Sequence, residues 1–195
     1  MPPPKKAAKK AAKKAAKKAA KKTAPHHHDK HSQAKDLRRA YEHMGRVAVL
    51  RQTSKSSATD AVAELTTLAQ QAIKEGNSKD AADLLRASEH LSFAVLVGEA
   101  SGVVRVSAEL KESITEQFDE LTRRAEEHWE EDEEHSNILT RIYQSSRNNA
   151  TEAFKGRAYH QALEFARAAE ALAHVKSRAP FKLESGHKNL QLKSV

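Results

Sequence analysis

The chain of 195 residues lacks cysteine and has only six glycines and five prolines. The absence of cysteine excludes a disulfide framework and a thiolate metal site. No apolar run approaches the twenty residues of a membrane span, and no hydrophobic stretch follows the charged N-terminus. With few helix breakers and much alanine, leucine, glutamate and lysine, the sequence predicts an all-α, intracellular protein without membrane insertion.

Charge is distributed unevenly along the chain. Residues 1–35 carry twelve lysines and one acid, a net charge of +11, and the remaining residues carry a net charge of −3. Ten of these lysines alternate in pairs with alanine pairs, at Lys5, Lys6, Lys9, Lys10, Lys13, Lys14, Lys17, Lys18, Lys21 and Lys22. Burying unpaired ammonium groups is costly, so this arm is expected to bind a polyanion.

The composition of the arm limits what it recognises. Lysines four residues apart repel one another on a helix, so we expect the free arm to be disordered. The four-residue repeat drifts about 40° per repeat around a helix, which disfavours a membrane-surface helix with one apolar face. The arm has no arginine and no aromatic residue, which favours phosphate contacts without base readout. It resembles the Lys/Ala-rich tails of linker histones and bacterial histone-like proteins, and that resemblance implies nonspecific binding of DNA or RNA.

A histidine-rich segment follows Pro25, with His26, His27, His28 and His31. Four histidines in six residues are compatible with a transition metal, or with a polar linker or a cloning-derived segment. No ligands of matched spacing lie nearby, so we predict a linker, no metal site and no cofactor.

The rest of the chain shows helical periodicity, with apolar residues three and four positions apart. The first such helix has Ala40, Tyr41 and Val47 among its apolar positions. The predicted helices cover residues 33–52, 60–75, 79–97, 103–129, 137 to a stop at Gly156, and 159–176. The predicted organisation is an arm and linker at 1–35, an all-α domain at 36–180 and a mobile end at 181–195.

The two halves of the domain align when the residue numbers of the first half are shifted by a constant amount, so that Ala69 matches Ala150. We call this shift the repeat offset. The matching positions are Ala69, Ala72 and Lys74 with Ala150, Ala153 and Lys155, and the run 86–91 with the run 167–172. A duplication would make residues 36–98 and 103–178 two related units, each a long helix followed by a hairpin, with residues 98–102 between them.

Both hairpins carry small residues and a glycine at the turn. The positions concerned are Ala69, Gly76 and Ala81 in the first hairpin, and Gly156, Tyr159, Ala162, Leu163, Glu164 and Phe165 in the second. These residues resemble the turn and second helix of tetratricopeptide repeats. The resemblance implies a helical-hairpin scaffold that holds a peptide or a partner helix. An ordinary antiparallel hairpin has the same need for a turn glycine and facing alanines.

An acidic stretch at residues 126–134 suggests two further sites. Asp132 and His135 have the spacing of a di-iron ligand pair, but no second pair is present and a solvated acidic face is the simpler interpretation. The same carboxylates could hold the lysine arm in weak autoinhibition. Trp129, within this stretch, is interpreted as a core or interface anchor.

No motif of an enzyme is present: the sequence has no HExxH, nucleophile elbow or phosphate-cradling loop. We therefore predict a non-enzymatic, nucleic-acid-associated protein that binds DNA or RNA through the arm, while the helical body supplies oligomerisation or a protein partner site. Its location would be the cytoplasmic nucleoid in a bacterium and the nucleus in a eukaryote. The alternative is a helical-hairpin adaptor whose arm tethers it to another polyanion or only aids solubility.

Overall fold

The computed structural model describes residues 30–53, 59–100, 106–129 and 137–176. Within these ranges the chain forms α-helices and no strand, which confirms the all-α prediction. The helices are α1 (Lys30–Thr53), α2 (Thr59–Lys74), α3 (Ser78–Ala100), α4 (Ala108–His128), α5 (Asn137–Lys155) and α6 (Tyr159–Lys176). None of these six is long and apolar enough to cross a bilayer. The predicted disorder of the arm and the predicted mobile end at 181–195 lie outside the described residues.

Helix α6 is the centre of the fold, because α3, α4 and α5 all pack against it. Nearly every residue of α6 is buried, including the continuous run from Ala168 to Ala173. A helix that is buried on nearly all sides needs partners around most of its circumference. Alanine is the commonest residue of α6, and its small side chain allows the neighbouring helices to approach closely.

Helices α3 and α6 run antiparallel. Arg86 Nη2 lies 3.3 Å from Glu170 Oε2, and His90 Nδ1, one turn further along α3, lies 2.7 Å from Glu164 Oε2. Later residues of α3 therefore face earlier residues of α6. The α3–α6 pair joins the α2–α3 hairpin to the α5–α6 hairpin.

The first hairpin turns at Gly76, as the sequence predicts. The Asn77 N–H donates to the carbonyl of Ala72 at 2.8 Å, and the Gly76 N–H donates to that of Ile73 at 3.1 Å. This pair of bonds defines a Schellman motif, which ends a helix with one residue in the left-handed region. Gly76 is that residue, with φ of 80°.

The second hairpin turns in the same way but without a glycine at the left-handed position. The Ala158 N–H donates to Ala153 at 2.8 Å, and the Arg157 N–H donates to Phe154 at 3.0 Å. Gly156 directly follows the last residue of the helix, Lys155, as predicted, but the left-handed residue of this turn is the next one, Arg157, with φ of 63°. The repeat offset carries each bond of the first turn onto its counterpart in the second.

The same offset relates α1 to α4. His43 of α1 contacts Glu89 of α3. The repeat offset matches His43 with Arg124 of α4 and Glu89 with Glu170 of α6, and Arg124 and Glu170 also lie close together, 3.7 Å apart. Equivalent positions of α1 and α4 are thus linked to equivalent glutamates of α3 and α6. The two units consist of α1–α3 and α4–α6.

Some predicted boundaries differ from the structure. Gly98, predicted to begin the separator between the halves, lies inside α3, where an added Cβ would fall 2.1 Å from Gln161 Nε2. Close packing against α6 thus continues α3 past its glycine. Helix α4 begins at Ala108 and not at residue 103, because the Ser107 hydroxyl caps it by accepting from Leu110 N–H. Helix α1 begins at Lys30, within the segment predicted as linker.

Candidate nucleic-acid interface

The predicted nucleic-acid-binding lysines, from Lys5 to Lys22, all lie outside the described residues. The histidines at 26–28 do too, and His31 falls in the first turn of α1. Helix α1 is thus the first described element after the arm.

Helix α1 is strongly basic. It carries six Lys or Arg residues and two acids, a net charge of +4. Four of the six basic residues lie after residue 35, in the part of the chain whose net charge is −3. Lys35, Arg38 and Arg39 are exposed and have the i, i+3, i+4 spacing of one helix face. The side chains of Arg38 and Arg39 are 76% and 53% accessible to solvent.

The arginines of this face have acidic neighbours on the same helix. Arg38 Nε lies 3.2 Å from Glu42 Oε1, and Arg39 Nη1 lies 3.6 Å from Asp36 Oδ1. The Arg38–Glu42 pair is exposed on both sides and contributes only about 0.3–0.5 kcal/mol, so another anion can replace Glu42 at little cost. The Asp36 side chain is only 13% exposed, so Arg39 pairs with a mostly buried carboxylate.

Other residues of α1 fix the helix on the fold. Ala40 and Val47 are buried, and Glu89 of α3 contacts both His43 Nδ1 at 2.5 Å and Arg46 Nη1 at 3.3 Å. Partial burial raises the pKa of Glu89, but hydrogen bonds and charges from His43 and Arg46 outweigh it and leave the pKa below the ordinary 4.5. The ionised carboxylate holds α1 in a defined orientation, with Arg38 turned outward.

The equivalent helix α4 has the opposite charge. It carries seven acids and three Lys or Arg residues, a net charge of −4. At the repeat offset, five charged positions of α1 have a counterpart of opposite sign in α4. The pairs are Lys35 and Glu116, Arg38 and Asp119, Arg39 and Glu120, Glu42 and Arg123, and Arg46 and Glu127. The two related helices thus present opposite potentials.

Only the beginning of the predicted acidic stretch is described. Glu126 pairs with Arg147 of α5, and Glu127 pairs with Arg123 of its own helix. Trp129 is partly buried and stacks on Tyr143, with ring centroids 3.7 Å apart, which agrees with its interpretation as an anchor. Autoinhibition by the arm stays a prediction.

The described residues contain no group of three or more histidines, aspartates or glutamates placed to hold a metal ion. Asp132 and His135, considered for a di-iron site, lie outside them. Glu170 and His174 are described, and their closest atoms are 4.0 Å apart. Glu170 is buried and already contacts Arg86 and Arg124, so its charge has partners within the protein.

A buried ionic contact between α3 and α6 was not predicted. Glu164, 8% exposed, contacts His90 of α3 and Arg167 of its own helix. Burial raises the pKa of Glu164, but the hydrogen bond and charge of His90, together with Arg167, leave it below 4.5. The only signal in the sequence is a glutamate within an otherwise apolar stretch. This contact lies in the core and holds helices together.

The exposed basic face of α1 is therefore the described surface best suited to an anionic partner. Neither a family model, nor a curated protein, nor a solved structure matches this chain.

Proposed function

We propose that this chain is a non-enzymatic nucleic-acid-associated protein that holds DNA or RNA nonspecifically through its lysine arm. The observation that carries the proposal is the arm itself, with ten lysines and no acid from Lys5 to Lys22. A polyanion is the only abundant partner that can neutralise such a block of charge.

The dimensions of the arm suit a duplex. As a helix, residues 5–22 would span about 27 Å, and duplex DNA carries about one charge per 1.7 Å of its axis. The lysines therefore face roughly sixteen phosphate charges. If six of them make contacts, the logarithm of the association constant falls with the logarithm of salt concentration with a slope of about −5.

The arm contributes affinity and no sequence preference. Lysine acts as a point charge without the planar fork with which arginine pairs to guanine. Two duplexes of equal length and unrelated sequence are therefore expected to bind equally.

The test compares the full chain with a full-length variant in which all ten arm lysines are glutamine. The substitutions lower the net charge from +8 to −2 and leave the described helices untouched. Fluorescence anisotropy with a 30-base-pair duplex is measured from 50 to 300 mM salt. We expect the variant to lose most of its affinity and its steep salt slope.

The adaptor alternative gives a different result in the same assay. Equal DNA binding by the two proteins, or none by either, contradicts the proposal. Binding of the full chain to phosphatidylserine vesicles or polyphosphate, but not to the duplex, would favour an adaptor tethered to another polyanion.

A further inference from the structure

We propose that the folded domain has a phosphate-binding surface of its own, the face of α1 formed by Lys35, Arg38 and Arg39. This inference rests on the proposed function and adds a defined surface to it. The domain would contact the phosphate backbone on one side, with α1 against the nucleic acid.

The first support is continuity with the arm. Lys22 lies eight residues before Lys30, the first residue of α1, and a fully extended chain of that length reaches at most about 29 Å. The arm and α1 can therefore contact one duplex, and binding of the arm raises the effective concentration of phosphates near α1.

The second support is the chemistry of the face. Arg38 and Arg39 supply the planar guanidinium groups that the arm lacks, and these groups bind phosphate oxygens with two hydrogen bonds. Both are more than half exposed. The contact of Arg38 with Glu42 is a weak, solvent-exposed pair, so a phosphate can displace that carboxylate. Arg39 keeps its contact with Asp36, whose side chain is 13% exposed, and offers its other N–H groups to a phosphate.

An exposed aromatic residue lies beside Arg38. Tyr41 lies one turn after Arg38. Its side chain has a large apolar ring, yet the residue is 55% exposed to solvent. Tyrosine beside arginine is suited to contacts with the sugar and phosphate of a nucleic-acid backbone. It also adds apolar area to a face that otherwise consists of charge.

The third support is the charge inversion between the two related units. Lys35, Arg38 and Arg39 have as counterparts Glu116, Asp119 and Glu120, which repel phosphate. A polyanion is attracted to the α1 side and repelled from the α4 side, so the domain binds in one orientation.

The test uses the full-length chain and two charge-matched triple variants. K35Q/R38Q/R39Q removes three positive charges from the α1 face. The control K74Q/K79Q/K111Q removes three positive charges at exposed positions of α2, α3 and α4. Arg46 is left unchanged, because it contacts Glu89.

We expect K35Q/R38Q/R39Q to weaken duplex binding by at least about tenfold at 0.1 M salt and to reduce the salt slope by about 2–3, since each lost phosphate contact removes about 0.9. The control is expected to leave the slope unchanged. Circular dichroism of both variants checks that the helices persist.

Three results would overturn the inference. If both triple variants change binding equally, only the total charge matters. If neither changes it, α1 does not contact the duplex and the arm acts alone. If K35Q/R38Q/R39Q alters sedimentation of the free protein but not DNA binding, the face joins α1 to the acidic α4 of a second copy. Absence of DNA binding by the unchanged chain would instead remove the proposed function itself.

Discussion

Replacing Arg157 with glycine is expected to stabilise the fold. Arg157 is exposed and holds a left-handed φ of 63° at the second hairpin turn. An L-residue in that region costs about 1–2 kcal/mol relative to its preferred conformations. Glycine avoids this cost but loses about 0.4–1 kcal/mol through the greater freedom of the unfolded chain. The net gain in the free energy of unfolding is about 0.5–1 kcal/mol.

The first hairpin provides the reciprocal substitution. A Cβ added at Gly76 meets no atom within 4 Å, so Gly76→Ala changes the backbone energy without a steric clash. We expect a loss of about 1 kcal/mol, because alanine resists a positive φ. Arg157→Ala keeps the unfavourable conformation while removing the long side chain, and it should leave stability nearly unchanged.

The three variants are compared by urea unfolding, followed by circular dichroism at 222 nm. R157G should raise the urea concentration at the unfolding midpoint without changing the slope of the unfolding free energy against urea concentration. That combination identifies a change in stability and not in the denatured state. A gain of 1 kcal/mol corresponds to about 2–4 °C in Tm for a chain of this size. A lower midpoint for R157G, or a higher one for G76A, would refute the assignment of strain to these turns.

Three further outcomes are expected. Gly45, exposed within α1 with no atom near an added Cβ, should accept Gly45→Ala with a gain of about 1 kcal/mol in urea unfolding. Because the pKa values of Glu89 and Glu164 are lowered, their contribution to stability is complete above pH 4.5 and is lost as the pH falls through their folded pKa values. A urea midpoint that stays constant from pH 7 to pH 3 would contradict this. Glu164→Gln weakens the contacts with His90 and Arg167, so it should cost about 1–3 kcal/mol and flatten that pH profile. An E164Q midpoint equal to that of the unchanged protein would show that the contact is energetically neutral.

The helices were predictable from the sequence because their apolar residues recur at helical spacing. Helix α6 spans Tyr159–Lys176 as predicted, since its start follows a turn and its apolar positions continue to the end. Gly98 misled the prediction, because a glycine that stops an isolated helix also permits close packing within a folded one. Only the position of Gln161 distinguishes the two cases.

The charged surfaces were harder to predict. Averaging over residues 36–195 gives a mildly acidic body, and this average hides a basic α1 and an acidic α4. Tyr41 was counted among the apolar positions of the first helix, but it is 55% exposed. The buried stripe of α1 is narrower than the sequence suggests, with Ala40 and Val47 at its centre. The outward face becomes evident only once Ala40 and Val47 are known to be buried and His43 is known to contact Glu89 of α3.

Contacts between distant residues could not be predicted at all. His90 and Glu164 are 74 residues apart, and no local pattern pairs them. Their contact depends on the antiparallel packing of α3 and α6. The repeat offset relates these two helices but does not predict which of their residues pair. Sequence periodicity therefore predicts elements well and their ionic contacts poorly.

The central position of α6 has a consequence for synthesis on the ribosome. Helices α3, α4 and α5 precede the helix on which all three pack, so α3 is complete at Ala100, long before α6 ends at Lys176. At about 5–20 residues per second, the apolar face of α3 lacks its partner for roughly 4–15 s. During that interval the nascent chain is open to chaperones and to aggregation, and the domain is completed only when its last described helix has been made.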